Sequence, residues 1–218
     1  MNMPALRRMV PAAAVWRPQS NIAIWRRDLS PCLFSAARHL AAEAEDGLQF
    51  WVRRDEPSQQ ATLQAFAAPG WQPQPMRNAG TGLQLLMADI ATLIDWFRRQ
   101  SRAPRLHVGL APVRGNACRF YHTDMVGQRL LCSYAGPGTE WLPDDKVNRS
   151  ALGRGDNAAV LRDPDAVASL QPGWAALLRG ERDPAWNGRG VVHRSPPYRP
   201  GHERLVLTID EPGRHLHG

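Results

Sequence analysis

Five residues in the second half of the chain have types and spacing that suit metal and carboxylate chemistry. His122-Thr123-Asp124 is an HxD triplet. On an extended strand, residues two apart share a face and stand roughly 7 Å apart along the chain, so the imidazole and the carboxylate can bite one cation. His193 ends the short apolar run Val191-Val192 and offers a third ligand from a distant strand. Two histidines and one carboxylate on one face of a metal leave three positions open, the arrangement that suits oxygen chemistry at non-haem Fe(II). Arg204 heads the alternating run Arg204 to Ile209, with Arg204, Val206 and Thr208 on one face. A hairpin centred near Tyr198 to Pro200 would return Arg204 to within a rung or two of His193. A guanidinium there can grip a carboxylate through two parallel hydrogen bonds. Tyr134 can donate a phenolic hydrogen bond to the same carboxylate, or serve as a buried core tyrosine.

Each of these residues also has a plainer reading. His122 and Asp124 can form a simple polar pair, and an arginine near the right place is common in an arginine-rich chain. Cys118 shares strand parity with His122 and Asp124, so its thiolate can join a zinc site; the other reading of Cys118 and Cys132 is small buried hydrophobes. His215 and His217 could bind metal loosely, but a mobile C-terminal tail is the better reading of them. Gly136 to Pro143, with Glu140 and Trp141, reads either as a loop overhanging a pocket or as a tight turn anchored by its tryptophan.

These residues need elements to position them. Trp16, Ile22, Ile24 and Trp25 pin an extended lead-in over residues 1–27, and Leu29, Leu33, Ala36, Ala37 and Leu40 then recur at helical spacing to about Ala44. Residues 48–54 fit a short strand, and Pro57 to Gly82 is rich in Gln, Pro and Gly, hence loop-dominated. Leu86, Ile90, Leu93, Ile94 and Phe97 mark a second helix from Leu83 to about Arg99, with Arg98 and Arg99 at its C-terminal end where the helix dipole favours cations. From Leu106 the period changes to two. Leu106 to Ala111, Cys118 to Asp124, Gln128 to Tyr134, Trp174 to Leu178, Gly190 to His193 and Arg204 to Ile209 read as strands, with residues 143–172 polar and mixed. Helices first and strands later predict an α+β, mainly β chain, a sheet or barrel supported by N-terminal helices. The organisation is one domain over 1–218, with 1–105 as lead-in and helices and 106–210 as the β core carrying the site.

Composition narrows the class. A chain of 218 residues suits one core. The formal charge of +7 invites a nucleic-acid reading, with tryptophans for base stacking, but Lys146 is the only lysine and the arginines are scattered without a basic run. That distribution argues against a nucleic-acid partner. Three widely spaced cysteines without a CxxC pair suit free thiols in a reducing, cytoplasmic setting, with Cys118 and Cys132 unbonded to each other. No apolar run reaches the length of a membrane span. The stretch Met9 to Val15 after Arg7 and Arg8 is too short and too interrupted for a signal peptide.

The order His122-x-Asp124, His193, Arg204 resembles the HxD…H…R signature of the Fe(II)- and 2-oxoglutarate-dependent dioxygenases. Gln171-Pro172-Gly173-Trp174 and the apolar residues after it resemble the turn and strand that precede the second histidine there, and His193-Arg194-Ser195-Pro196-Pro197 is similar to the phytanoyl-CoA hydroxylase branch. The resemblance implies a double-stranded β-helix (jelly-roll, cupin-like), iron on His122, Asp124 and His193, and the distal carboxylate of 2-oxoglutarate on Arg204. It also implies oxidation of a substrate, small molecule or protein, that the sequence leaves open. Val206 stands where many members place a serine. A longer resemblance, over about Leu106 to Ile209, is to an uncharacterised bacterial family of unknown function. It rests on Cys118-Arg119-Phe120-Tyr121-His122-Thr123-Asp124, on the run from Arg129 through Gly136-Pro137-Gly138-Thr139-Glu140-Trp141 to Pro143, and on Val192-His193-Arg194-Ser195-Pro196-Pro197. That resemblance implies encoding near zinc-handling genes in some bacteria. The alternative is therefore a non-enzymatic zinc-binding or metal-homeostasis protein using the same triad.

Overall fold

The computed structural model describes residues 16, 19–69, 71, 80–186 and 188–211. His215, His217 and the Arg7 to Val15 stretch lie outside them. Strand β1 (Ile22–Trp25) pairs antiparallel with the distant strand Ala175–Arg179, in register from Ile22 opposite Leu178 to Trp25 opposite Ala175. The expected irregular lead-in is thus a sheet strand at this point. Its alternation sends Ala23 and Trp25 to one cluster and Ile22 and Ile24 to another, so both faces are used.

Helix α1 (Pro31–Glu43) is capped by Ser30, which accepts from the Leu33 N–H, and buries Leu33, Ala36, Ala37, Leu40 and Ala41. Strand β2 (Leu48–Arg53) follows. Helix α2 (Ser58–Phe66) corrects the loop expected across Pro57 to Gly82. Gln is a good helix former, and the face this helix buries holds only Ser58, Ala61, Thr62 and Ala65. A search for large apolar side chains at helical spacing misses such a face. Helix α3 (Gly80–Gln100) extends the expected helix at both ends and buries the expected Leu86, Ile90, Leu93, Ile94 and Phe97.

Strands β3 (Arg105–Val113), β4 (Gln128–Ala135), β5 (Glu140–Leu142), β6 (Ala168–Ser169), β7 (Ala175–Arg179), β8 (Val192–Arg194) and β9 (Arg204–Asp210) complete the fold. They form a six-stranded sheet in the order β1-β7-β4-β9-β3-β2 and a three-stranded sheet in the order β6-β5-β8. Every neighbouring pair is antiparallel. The chain crosses between the sheets: β3 lies in the large one, His122 adds a single antiparallel bridge beside β8 in the small one, β4 returns to the large one, β5 and β6 belong to the small one, and β7, β8 and β9 alternate. The N-terminal half is more than support, because β1 and β2 are the two edges of the large sheet.

Alternation gives the large sheet two faces. Leu106, Val108, Leu130, Cys132, Tyr134, Leu205, Leu207 and Ile209 pack with the helices in one cluster. Leu131, Ala176, Leu178 and Val206 point the other way, toward the small sheet. Behind the small sheet, Tyr121, Leu142, Val147, Ala151, Val160 and Val192 form a third cluster that anchors the His122 segment. The molecule is a mixed α/β protein with a large antiparallel sheet between helices and a small sheet. Among the described residues no helix is long and apolar enough to cross a membrane.

Candidate metal centre

The site lies between the two sheets. His122 and His193 exchange both backbone hydrogen bonds at 3.0 Å, and this one bridge brings their ring centroids to 4.6 Å. Cys118 to Asp124 does not form the continuous strand expected: Cys118 has a φ of 52°, and only His122 pairs with the small sheet. Asp124 reaches the histidines from a turn. That turn is fastened to the segment after β7, where Glu181 N–H donates to the Asp124 carbonyl at 2.8 Å, Arg182 N–H to Val126 at 3.1 Å and Gly180 N–H to Gly127 at 2.8 Å. A Cβ on Gly180 would stand 2.1 Å from the Val126 carbonyl oxygen, so the approach requires glycine.

One ligand atom each from His122, Asp124 and His193 lies within 4.8 Å of the others. Asp124 Oδ1 is 3.7 Å from His122 Nε2, and Oδ2 is 3.3 Å from His193 Nε2. Both rings have a defined tautomer. His122 Nδ1–H donates to the Phe120 carbonyl at 2.9 Å, and His193 Nδ1–H to the Val191 carbonyl at 3.1 Å. A carbonyl only accepts, so Nδ1 carries the proton, and in the neutral form of each ring the Nε2 lone pair faces the Asp124 carboxylate. Burial pushes the pKa of His193 below the ordinary histidine value, against the pull of the Asp124 charge, which favours the neutral ring a metal needs. Asp124 Oδ2 is buried and accepts no hydrogen bond. Two lone pairs and a carboxylate oxygen facing one another without a donor form a set that a divalent cation completes.

Arg204 stands at the other end of the same cavity. It is buried, and the sequence around it builds a cage of neutral oxygens. Nε donates to the Pro137 carbonyl at 2.8 Å, Nη1 to Ser195 Oγ at 3.0 Å, and Nη2 to Ser133 Oγ at 3.1 Å and Thr139 Oγ1 at 2.9 Å. Gly136 turns the chain around the side chain with a φ of 70°; a Cβ there would lie 2.5 Å from the Glu203 carbonyl oxygen. The Gly136 to Thr139 segment is therefore the wall of the Arg204 site. Among the described residues no carboxylate pairs with this guanidinium, and burial pushes its pKa down to about 10. The cavity, about 360 Å³, is lined by His122, His193, Arg204, Thr139, Leu131 and Thr208 among others.

The chain belongs to the family described as protein of unknown function (DUF1826), which matches residues 9–210. No curated protein matches it. Among solved structures it is similar to the rice dioxygenase for auxin oxidation (13% identity, 88% of this chain and 73% of that one, TM-score 0.43). It is also similar to the Arabidopsis thaliana enzyme of that name bound to 2-oxoglutarate (13%, 94% and 73%, TM-score 0.41). A Caulobacter crescentus protein assigned to the 2OG-Fe(II) oxygenase family overlaps comparably (15%, 90% and 85%, TM-score 0.43). Overlaps this loose transfer no residue role, and the site stands on its own geometry.

Three expectations need correction. Tyr134 points away from the cavity: it is one residue out of phase with Ser133, is fully buried on the helical side, and donates to Asp89 Oδ2 at 2.6 Å. Asp89 also holds Arg27 at 2.5 and 2.8 Å, which makes Tyr134 part of a buried network under the helices. Arg204 does not return by a hairpin, since β8 and β9 lie in different sheets; Ser195 makes the link instead. Cys118 is exposed on the cavity lining and is not one of the clustered ligands, while Cys132 is buried beside Arg27 with its thiol pushed up to about 11 by burial; all three cysteines are free. The sequence assigns no role in the site to Arg129, Ser133, Thr139 or Ser195. Arg129 and Ser133 were findable, because they share parity with Leu131 on the strand face opposite the core residues Leu130, Cys132 and Tyr134.

Proposed function

We propose that this protein is an Fe(II)- and 2-oxoglutarate-dependent oxygenase acting on an unidentified substrate. The observation that carries the reading is that the His122, Asp124 and His193 cluster borders, through its two histidines, the cavity lined by a buried arginine that has no acidic partner among the described residues. The alternation of strands between a large and a small sheet, with the ligands on the small-sheet side, supports a double-stranded β-helix. His122, Asp124 and His193 would hold the metal. Bound there, Fe(II) would supply the redox chemistry by which one O2 oxidises both co-reactants, one oxygen atom going into succinate as 2-oxoglutarate loses CO2 and the other into a substrate C–H bond.

The chain's own residues bind and orient. Arg204 supplies the positive charge that a dehydrated carboxylate needs. Four of its five N–H groups are engaged by neutral oxygens, so the grip on a ligand is not the simple two-bond fork that the sequence suggests. Ser133, Ser195 and Thr139 accept from Arg204 and retain their own O–H groups to donate. Thr139 and Ser195 line the cavity, so these hydroxyls extend the guanidinium toward the ligand. They take the place of the serine that Val206 replaces. Leu131 and Val206 between the two ends keep that space apolar.

Zinc at the same three atoms is the competing reading, and Arg204 favours the oxygenase. A metal store has no use for a desolvated guanidinium aimed into the cavity. Anaerobic titration of 2-oxoglutarate into Fe(II)-loaded protein tests the proposal through the visible metal-to-ligand charge-transfer band. The band is expected in the wild type and absent in His193→Ala. Metal uptake without any 2-oxoglutarate-dependent band would leave the zinc reading in its place.

A further inference from the structure

Arg129 is a charged side chain on an interior sheet face, and its three nitrogens divide between two carboxylates. The strand register sets it opposite Asp210 of β9. Its Nε and Nη2 hold the two Asp210 oxygens at 2.5 and 2.8 Å. Its Nη1 lies 2.8 Å from Asp124 Oδ1. Burial disfavours the Arg129 charge, but Asp210 and Asp124 more than offset that, so its pKa stands above the ordinary arginine value. Asp124 is left with one oxygen engaged and one, Oδ2, buried without a hydrogen bond and 3.3 Å from His193 Nε2.

We infer that Arg129 is the positioning residue that makes Asp124 a one-oxygen metal ligand, with Asp210 as the anchor that aims and neutralises it. The inference rests on the metal reading above. A carboxylate free to rotate can chelate a cation through both oxygens and so occupy a further coordination position. Held at Oδ1, Asp124 presents Oδ2 alone, and the remaining positions face the cavity. A lone guanidinium beside a cation would repel it, whereas the Asp124, Arg129 and Asp210 cluster keeps a net charge of −1. Only arginine has the planar fork that reaches both carboxylates at once; lysine keeps the charge and loses one of the two.

Co(II), whose visible d–d absorption reports coordination number and geometry, provides the test when titrated into metal-free full-length protein. Charge alone predicts tighter binding in Arg129→Gln, because two carboxylates then face the site without a guanidinium. The positioning role predicts the opposite: affinity about 10- to 100-fold weaker and an altered spectrum at saturation. Arg129→Lys should fail to restore the wild-type spectrum, and it carries the same test if Arg129→Gln does not fold. A purely structural Arg129 would lower the melting temperature while leaving affinity and spectrum at wild-type values, and that result overturns the inference. Wild-type protein that takes up no Co(II) defeats the metal reading and this inference together; wild-type uptake with unchanged variants defeats this inference alone.

Discussion

Replacing Arg204 by methionine keeps a side chain of similar reach and removes the charge. Arg204 is 5% exposed, and burial lowers its pKa from the ordinary arginine value to about 10. That difference corresponds to about 3 kcal/mol disfavouring the charged form in the folded state. The folded value lies below the unfolded one, so between the two the unfolded chain binds more protons and stability rises with pH. The cost is fully present below pH 10, hence at neutral pH, and is relieved only as the pH climbs past 10 toward the ordinary arginine value. Arg204→Met removes that cost and forfeits the hydrogen bonds to Pro137, Ser133, Thr139 and Ser195. The four hydrogen bonds from a charged donor, at about 1.5–3 kcal/mol each, outweigh that cost, and the ligand-free protein is expected to lose about 3 kcal/mol of stability or more. Ligand binding behaves differently. Removing one partner of a buried charge pair costs about 2–5 kcal/mol, a weakening of roughly 30-fold to several thousand-fold in 2-oxoglutarate affinity. With ligand at a hundred times the wild-type Kd, metal-loaded wild-type protein gains about 2.7 kcal/mol, a rise of roughly 5–10 °C in melting temperature for a chain of this size. The variant should rise by less than about 3 °C. Differential scanning fluorimetry of both proteins, with and without 2-oxoglutarate, makes the comparison. A variant that keeps the wild-type rise would refute the assignment of Arg204.

Tyr134→Phe should lower stability by about 1 kcal/mol in urea unfolding through loss of its bond to Asp89, and leave 2-oxoglutarate affinity unchanged; a loss of affinity would restore Tyr134 to the cavity. Asp89→Ala should be far more damaging, about 3–5 kcal/mol, because it strands the buried Arg27 charge. Gly180→Ala drives a Cβ against the Val126 carbonyl and moves the turn carrying Asp124, so metal affinity should fall at least about 10-fold with the far-UV circular dichroism preserved. In the native protein, iodoacetamide should label the exposed Cys32 and Cys118 quickly and spare the buried Cys132 until denaturant is added; rapid labelling of Cys132 would contradict its placement.

Much of the site was legible because its chemistry is written in residue types that are scarce or costly to bury. Spacing pairs His122 with Asp124, while His193 and Arg204 join them through their places on later strands and the HxD…H…R resemblance. Geometry within the group was less legible. His122 and Asp124 were expected on one strand, but a single bridge and a fastened turn do that work, and three backbone bonds from residues 180–182 leave no side-chain pattern to read. Tyr134 failed on parity: its neighbours Leu130 and Cys132 already marked that face as core, as Arg129 and Ser133 marked the opposite face as polar. Helix α2 was missed because small residues make its buried side, and β1 because four residues give too short an alternation to separate a strand from an extended tail. The crossing of β8 and β9 between sheets is tertiary topology, invisible to local pattern.

The most direct measurement is a crystal structure of the protein soaked anaerobically with Mn(II), a redox-quiet stand-in for Fe(II), and 2-oxoglutarate. Metal density is expected bonded to His122 Nε2, Asp124 Oδ2 and His193 Nε2, with Asp124 Oδ1 still on Arg129. The distal carboxylate of 2-oxoglutarate is expected against Arg204 and the hydroxyls of Ser195 and Thr139. Metal bound elsewhere, or 2-oxoglutarate seated away from Arg204, would refute the proposed site.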